Sequence, residues 1–318
     1  PSTFLPELPL PSVRARHTIG LGDPLTPTDV TEENRAADNL PLDLESCIRT
    51  YGLTHFKVKV CGNLDLDLPR LEALADLLGS QALFTLDGNE QYSSINAFRE
   101  HWEAWRENEK IRSLLDAGLL LVEQPAHRDE TFAPSVSSEF ADWPDRPSFI
   151  IDEADGAIDS LPQALALGYD GASHKNCKGI VKGIANAASL VREGRKRDRP
   201  VHLSGEDLAN VGPIALFQDL AMMAALGIEH VERNGHHYFK GLSAWPEPAQ
   251  SSMLETPADL YRTHPEGYPT LGIKDGMLDL TSMNASPFGP QGRVALSSLV
   301  RIDTDDPTGF ISAGLPTA

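Results

Sequence analysis

The segment Phe56-Lys57-Val58-Lys59 alternates apolar and charged side chains, and the segments that follow it along the chain repeat one design. Three apolar runs end in a carboxylate and a fourth segment ends in lysine: Phe84-Thr85-Leu86-Asp87, Leu121-Val122-Glu123, Ile150-Ile151-Asp152 and Gly171-Ala172-Ser173-His174-Lys175. Two more strand-like segments end at Glu206 and Glu232. The charged ends recur every 23 to 36 residues, which indicates a repeated structural unit.

This interval is typical of a TIM barrel, which uses about 250 residues for eight βα units, or roughly 30 per unit. With a first strand at 13–19, the sequence predicts eight strands between Val13 and Phe239. Amphipathic segments predict helices at 42–52, 68–79, 94–118 with a break near Asn108, 180–197 and 211–227. We therefore expect an α/β fold, a TIM-like (β/α)7β barrel, whose strand ends meet at one mouth.

Composition narrows the class of protein. The 318-residue chain has a net charge of −19, which argues against nucleic acid or an anionic membrane as a partner. Three cysteines indicate no disulfide framework, and we expect a reducing, cytoplasmic location. No apolar stretch approaches the roughly 20 residues of a membrane span. The first residues have neither the basic region nor the apolar core of a signal peptide.

The three carboxylates predict a metal site. Asp87, Glu123 and Asp152 end successive strands, so they are expected on one inward face as hard oxygen ligands for Mg²⁺, with Mn²⁺ as a substitute. Residues expected to support this site are Asn89, Gln124 and Glu153, of which Glu153 should point away from the ligand face. The alternative is that the acids cap helices or pair with lysines.

The lysines predict a pair of bases. Lys57 and Lys59 share one face of their strand, and Lys175 ends a strand on the opposite side of the barrel. Close to a metal and to each other, their pKa values are expected to fall, which would leave a neutral amine available as a base. Lys178 is a weaker candidate because it follows the strand end. The alternative is a solvated surface strand.

At these motifs the chain resembles the barrel domain of the enolase superfamily, in its mandelate racemase and muconate lactonizing enzyme branch. The matching pieces are Lys57-Val58-Lys59, Leu86-Asp87-Gly88-Asn89, Val122-Glu123-Gln124-Pro125, Ile151-Asp152-Glu153 and Lys175. The resemblance implies that Mg²⁺ assists removal of the proton α to a substrate carboxylate through an enediolate. It implies Lys59 as the base of the first pair, with Lys57 tuning its charge.

Two departures qualify the resemblance. Family members carry an N-terminal α+β capping domain, which is largely missing here. Strand seven ends in Ser204-Gly205-Glu206-Asp207 instead of a histidine base, which favours a two-lysine mechanism. The expected organisation is a remnant or linker to the cap at 1–12, the catalytic barrel at 13–245, and an extension at 246–318 that wraps the barrel or completes the cap. Within this extension, Val294-Ala295-Leu296 is strand-like.

The predicted reaction is racemisation, epimerisation or cycloisomerisation of a small carboxylate. Alternatives are an acid-sugar dehydratase on the same metal site, a Schiff-base aldolase and a non-catalytic barrel. Further residues predicted to support the site or contact substrate are Arg128, Glu206, Glu232 and His236. We also expect a homo-oligomer.

Overall fold

The computed structural model describes residues 4–31, 39–206, 210–255 and 259–285. Eight parallel strands close into a barrel, because the first strand pairs with both the second and the eighth. The strands are β1 (Ser12–Ile19), β2 (His55–Lys59), β3 (Leu83–Asp87), β4 (Leu119–Glu123), β5 (Phe149–Ile151), β6 (Gly171–His174), β7 (His202–Glu206) and β8 (His230–Glu232). The TIM-like barrel predicted from the strand spacing is confirmed.

Helices connect successive strands. They are α1 (Leu44–Tyr51), α2 (Leu64–Leu78), α3 (Ile95–Glu107), α4 (Glu109–Gly118), α5 (Arg128–Thr131), α6 (Ser135–Ala141), α7 (Ser160–Leu167), α8 (Ile180–Gly194), α9 (Pro213–Leu226) and, after β8, α10 (Gly235–Tyr238). The predicted break at Asn108 is confirmed. Its side-chain oxygen accepts hydrogen bonds from the backbone N–H groups of Lys110 and Ile111, so it caps α4 directly after α3 ends.

Side chains along each strand alternate between the apolar core outside the barrel and the polar barrel interior. On β2, Phe56 and Val58 are buried in the apolar core, while Lys57 and Lys59 point into the barrel, where both contact Asp87. The core therefore lies largely between the barrel wall and the helices. Because the interior holds polar groups from several strands, the barrel's own contents are ionic and hydrogen-bonded.

The segment after the barrel adds short elements that the sequence did not predict. These are α11 (Glu247–Glu255), β9 (Tyr261–Thr263), β10 (Pro269–Leu271), β11 (Met277–Asp279) and α12 (Thr281–Asn284). Strand β11 pairs antiparallel with the start of β1, and β9 pairs with β10. The predicted strand at 294–296 lies outside the described residues. Within the described ranges, no helix has the length and apolar character needed to cross a membrane.

The ion pair beside β6 gives a test of stability. Asp170 is fully buried, its Oδ2 lies 2.6 Å from Arg146 Nη1, and it also accepts from the backbone N–H of Phe149. Asp170→Ala leaves the buried Arg146 charge uncompensated, so we expect the free energy of unfolding to fall by about 3–5 kcal/mol. Asp116→Ala, which removes an exposed pair with Arg106, should cost at most about 1 kcal/mol in chemical denaturation. Similar losses for both variants would contradict this reading.

A half-buried histidine predicts acid sensitivity. Arg16 Nη1 donates to His230 Nδ1 at 2.7 Å inside the barrel, and burial together with Arg16 lowers the pKa of His230 to about 2. Because this pKa lies below the ordinary 6.5, the unfolded chain binds the extra proton and stability falls as the pH drops below 6.5. His230→Gln can retain an acceptor for Arg16 without titrating. Its urea midpoint should fall less on acidification than that of wild type or of the exposed-site control His127→Gln.

Candidate active site

The carboxyl ends of the strands bring ionisable side chains together at the barrel mouth. Parallel pairing places Lys59 beside Asp87, Asp87 beside Glu123, and Glu206 beside Glu232. Asp87, Glu123 and Glu206 are all buried. Because neighbouring strands are in register there, their side chains point to the same space inside the barrel.

Lys57 lies at the centre of this space. Its Nζ donates to Glu123 Oε1 at 3.0 Å and to Glu206 Oε1 and Glu232 Oε2 at 2.9 Å each, and it lies 2.9 Å from Asp87 Oδ2. Burial alone would lower the pKa of Lys57, but these four carboxylates outweigh it and raise the pKa well above its usual value. Lys57 is therefore a protonated cation that holds four strands' carboxylates together.

Lys59 and Lys175 lie on two sides of the cluster. Lys59 Nζ is 2.5 Å from Asp87 Oδ2, and Lys175 Nζ is 2.7 Å from both Asp152 Oδ2 and Glu206 Oε2. Burial opposes the charge on Lys175, but the two carboxylates outweigh it and raise its pKa. The prediction that the lysine pKa values fall is thus wrong for Lys57 and Lys175 in this arrangement, because ion-pair partners surround both ammonium groups.

A metal-compatible group forms within this cluster. Among the described residues, oxygens of Glu123, Asp152 and Glu206 all lie within 4.8 Å of one another. Two of these are predicted ligands, and the third is Glu206, which the sequence placed only in a supporting role. Asp87 is not in that group; its Oδ2 contacts Lys57 and Lys59, and its Oδ1 accepts from the backbone N–H of Asn89.

The two buried glutamates have opposite proton affinities. Burial and the neighbouring charge of Glu206 raise the pKa of Glu123 well above its usual value. Burial would also raise the pKa of Glu206, but Lys57 and Lys175 outweigh it and hold that pKa well below the usual value. Glu123 Oε2 is buried and has no hydrogen-bond donor within the described part of the chain. The ionised form of Glu123 is therefore poorly stabilised here, and a proton or a metal cation at Oε2 would offset its charge.

The predicted supporting residues brace the loops around this group. Gln124, which has a left-handed φ of 33°, accepts from the backbone N–H groups of Asp152 and Ala154 through Oε1. Its Nε2 donates to Ala126 O and Thr131 Oγ1. These bonds tie the loop after β4 to the end of β5 and so position Asp152.

Asn89 and Glu153 form a second brace next to the group. The side-chain amide of Asn89 donates to Glu153 Oε1 at 3.3 Å, which links the segments after β3 and β5. Burial and the adjacent Asp152 raise the pKa of Glu153. Glu153 is hydrogen-bonded by the neutral amide of Asn89. The adjacent Asp152 instead contacts two charged lysines, Lys175 and Lys178.

Three contacting residues were missed by, or given little weight in, the sequence analysis. Lys178 Nζ lies 2.6 Å from Asp152 Oδ1 and 2.9 Å from Ser173 Oγ, because a 3-10 turn at Asn176–Lys178 folds the chain back towards the mouth. Ser173 also donates to Asp152. Thr18 Oγ1 donates to Glu232 Oε1 at 2.5 Å. Strand alternation alone would have identified Ser173, two residues before Lys175, whereas Lys178 carried no such signal.

Two predicted substrate contacts already have other partners. Arg128 forms a two-pronged ion pair with Glu90, with Nε–Oε1 and Nη2–Oε2 distances of 2.8 and 2.7 Å, so its guanidinium already has a carboxylate partner. His236 is buried against His17 and Tyr51. His17 lies between the inward-pointing Arg16 and Thr18 on β1, so it faces outward and His236 packs outside the barrel mouth.

No protein-family model and no curated protein matches the sequence. Solved structures match across most of the chain. A mandelate racemase/muconate lactonizing protein from Herpetosiphon aurantiacus is 16% identical, with a TM-score of 0.53 over 89% of this chain and 65% of that one. A dipeptide epimerase from Enterococcus faecalis V583 is 17% identical, with a TM-score of 0.52 over 85% of this chain and 63% of that one.

A dipeptide epimerase from Cytophaga hutchinsonii, complexed with Mg and dipeptide D-Ala-L-Val, is 15% identical, with a TM-score of 0.51 over 89% of this chain and 62% of that one. The chain thus spans slightly less than two thirds of the length of each of these structures. The barrel fold that the motif-based resemblance predicted is confirmed, because this barrel's structural neighbours are proteins described as mandelate racemase/muconate lactonizing proteins and dipeptide epimerases.

Proposed function

We propose that the chain catalyses Mg²⁺-dependent removal of the proton α to a substrate carboxylate, followed by racemisation, epimerisation or cycloisomerisation. The observation that carries this proposal is a buried carboxylate cluster with Lys59 and Lys175 ion-paired to it through different acids, Asp87 and Asp152. The fold shared with two dipeptide epimerases, one of them complexed with Mg, supports this proposal.

The cluster fits a divalent cation in its donor chemistry. It offers hard carboxylate oxygens, and it already holds one cationic group, Lys57 Nζ, at 2.9–3.0 Å from four acids. Glu123 adds a buried oxygen with no donor among the described residues. Carboxylate sets of this kind suit Mg²⁺ or Mn²⁺ better than softer metals.

Glu123 and Asp152 would hold the ion, since both the strand order and the 4.8 Å grouping include them. There are two candidates for the third carboxylate. Strand order favours Asp87, whereas the short distances to Glu123 and Asp152 favour Glu206. When bound, the cation would neutralise the negative charge that develops on the substrate carboxylate as the α-proton leaves, giving an enediolate.

Proton transfer falls to the lysines. Lys59 and Lys175 have 22% and 16% exposed side chains, so both reach the accessible part of the site, unlike the 2% exposed Lys57. Engagement of Asp152 elsewhere would remove one of the two carboxylates that Lys175 contacts among the described residues, which lowers the pKa of Lys175 towards that of a working base. One lysine would remove the α-proton and the other would return a proton to the opposite face.

The dehydratase alternative is less favoured. Loss of a β-hydroxyl is helped by a protonated acid, and among the residues predicted to support the site, Glu206 and His236 have the chemistry to supply one. The low pKa of Glu206 keeps that carboxylate ionised, and His236 packs outside the mouth. A Schiff-base aldolase would leave the carboxylate cluster without a role, and a non-catalytic barrel would have no need for buried charges of this number.

Metal binding gives the first test. Mn²⁺ affinity, measured by electron paramagnetic resonance, should fall more than about 100-fold in Glu123→Gln and Asp152→Asn, because even outer partners of ligands contribute about 10–100-fold. Comparing Asp87→Asn with Glu206→Gln decides the third ligand, since only one should show a loss of the same size. Asp116→Asn, on the exposed surface, is the control. Unchanged Mn²⁺ binding in Glu123→Gln and Asp152→Asn would overturn the proposed site.

Isotope exchange gives the second test. With Mg²⁺ in D₂O, acid sugars, dipeptides and N-acyl amino acids are screened for α-deuterium uptake by NMR. For a reactive substrate, Lys175→Ala and Lys59→Ala should each lose exchange for one enantiomer, by about 100-fold or more, and retain it for the other, since each lysine serves one face. Lys57→Ala should slow both enantiomers, and exposed Lys196→Ala neither. Full activity of Lys175→Ala on both enantiomers would contradict the two-base mechanism.

A further inference from the structure

Three histidines outside the barrel mouth form a second cluster. His17 lies on the outer face of β1, and the short helix α10 after β8 supplies His236 and His237. The ring centroids of His17 lie 5.4 Å from His236 and 4.5 Å from His237, and those of His236 and His237 are 5.0 Å apart. One ring nitrogen from each histidine lies within 4.8 Å of the other two.

We propose that His17, His236 and His237 bind a transition-metal ion of the Zn²⁺ class, at a site distinct from the carboxylate cluster. One pair of nitrogens, His17 Nδ1 and His236 Nε2, is in hydrogen-bonding contact at 3.3 Å. Two ligands at about 2.0–2.1 Å from a tetrahedral Zn²⁺ are separated by about 3.3–3.4 Å. This pair thus already has the spacing of two nitrogens sharing one ion.

The protonation and pairing of the rings point the same way. Burial lowers the pKa of His17 and His236 well below 6.5, and that of His237 to about 4, so all three imidazoles are neutral, the form that binds metals. The Nδ1 atoms of His236 and His237 are buried and have no hydrogen-bond partner among the described residues. His236 presents Nε2 to His17, and the two nitrogens of one imidazole diverge, so the same ion cannot reach His236 Nδ1; it can engage His237 Nδ1, which ring packing leaves unsatisfied.

The surroundings can complete the coordination. A cavity of about 90 Å³ is lined by His17 and His237 together with Asp23 and Cys47. A tetrahedral ion with three imidazole ligands needs one more donor, and water in this cavity or the Asp23 carboxylate can provide it. Imidazole donors select Zn²⁺ and its neighbours, whereas the all-carboxylate mouth selects Mg²⁺. The two sites should therefore not compete for the same ion.

The histidine site would fasten the segment after β8 to the barrel. Asn234, two residues before His236, accepts from the backbone N–H of Thr18 and donates to Glu232 Oε1. Tyr51 of α1 donates to the backbone oxygen of His236. An ion shared by His17 and α10 thus joins β1 to the loop that positions Glu232.

Co²⁺ is the probe, because in a four-coordinate nitrogen site its visible absorption is far stronger than in an octahedral oxygen site. The full chain is stripped of metal with a chelator, checked by circular dichroism and titrated with Co²⁺. We expect a strong absorption band that saturates at one Co²⁺ per chain. Zn²⁺ should abolish this band, and excess Mg²⁺ should leave it unchanged. Zn²⁺ should also raise the Tm of wild type.

Matched variants separate the two sites. His237→Gln should lose the band and weaken Zn²⁺ binding by more than about 100-fold, since even a partner of a ligand contributes about 10–100-fold. His127→Gln, at an exposed position, and Glu123→Gln, in the mouth, should keep the band. The inference is overturned if folded wild type gives no strong band with excess Co²⁺, if the band survives in folded His237→Gln, or if Glu123→Gln abolishes it. If His237→Gln does not fold, displacement of the wild-type band by Mg²⁺ alone overturns it.

Discussion

The interaction on which the barrel mouth depends is the contact of one buried ammonium, Lys57 Nζ, with Asp87, Glu123, Glu206 and Glu232. Carboxylates brought this close repel one another, and burial removes the water that would screen them. With Asp152 included, the cluster has five acids. Four lysines contact these acids: Lys57, Lys59, Lys175 and Lys178. One proton on Glu123 would therefore make the cluster neutral. The raised pKa of Glu123 agrees with that balance.

This balance links the metal proposal to the base proposal. A divalent cation added to a neutral cluster leaves an excess of positive charge, so binding favours release of protons from the groups that hold them. Glu123 and then a lysine are the available sources. An arrangement in which the lysines are protonated thus does not oppose a two-base mechanism. It describes the state from which cation binding would generate the base.

Sequence reasoning predicted the barrel and most of the mouth because both follow from local pattern. Strand alternation and spacing suffice to place Lys57, Asp87, Glu123 and Lys175 at neighbouring strand ends. The pattern gave Lys178 little weight, because its position depends on a 3-10 turn, and it did not predict the proximity of Glu206 to Asp152, which depends on side-chain orientation across strands. The pKa directions of Lys57 and Lys175 were predicted wrongly, because they depend on how many acids surround each ammonium.

The position of His236 differs from the one predicted from the sequence, and this difference connects the histidine cluster to the barrel mouth. Sequence position after β8 suggested the mouth, but α10 turns the side chain towards the outer face of β1. On β1 the adjacent residues Thr18 and His17 therefore contact different sites, one through Glu232 and the other through His236. Because one strand carries both contacts, a displacement of α10 relative to β1 would also strain the Asn234–Thr18 and Thr18–Glu232 bonds. The histidine cluster is thus mechanically connected to the mouth even though it shares no ligand with it.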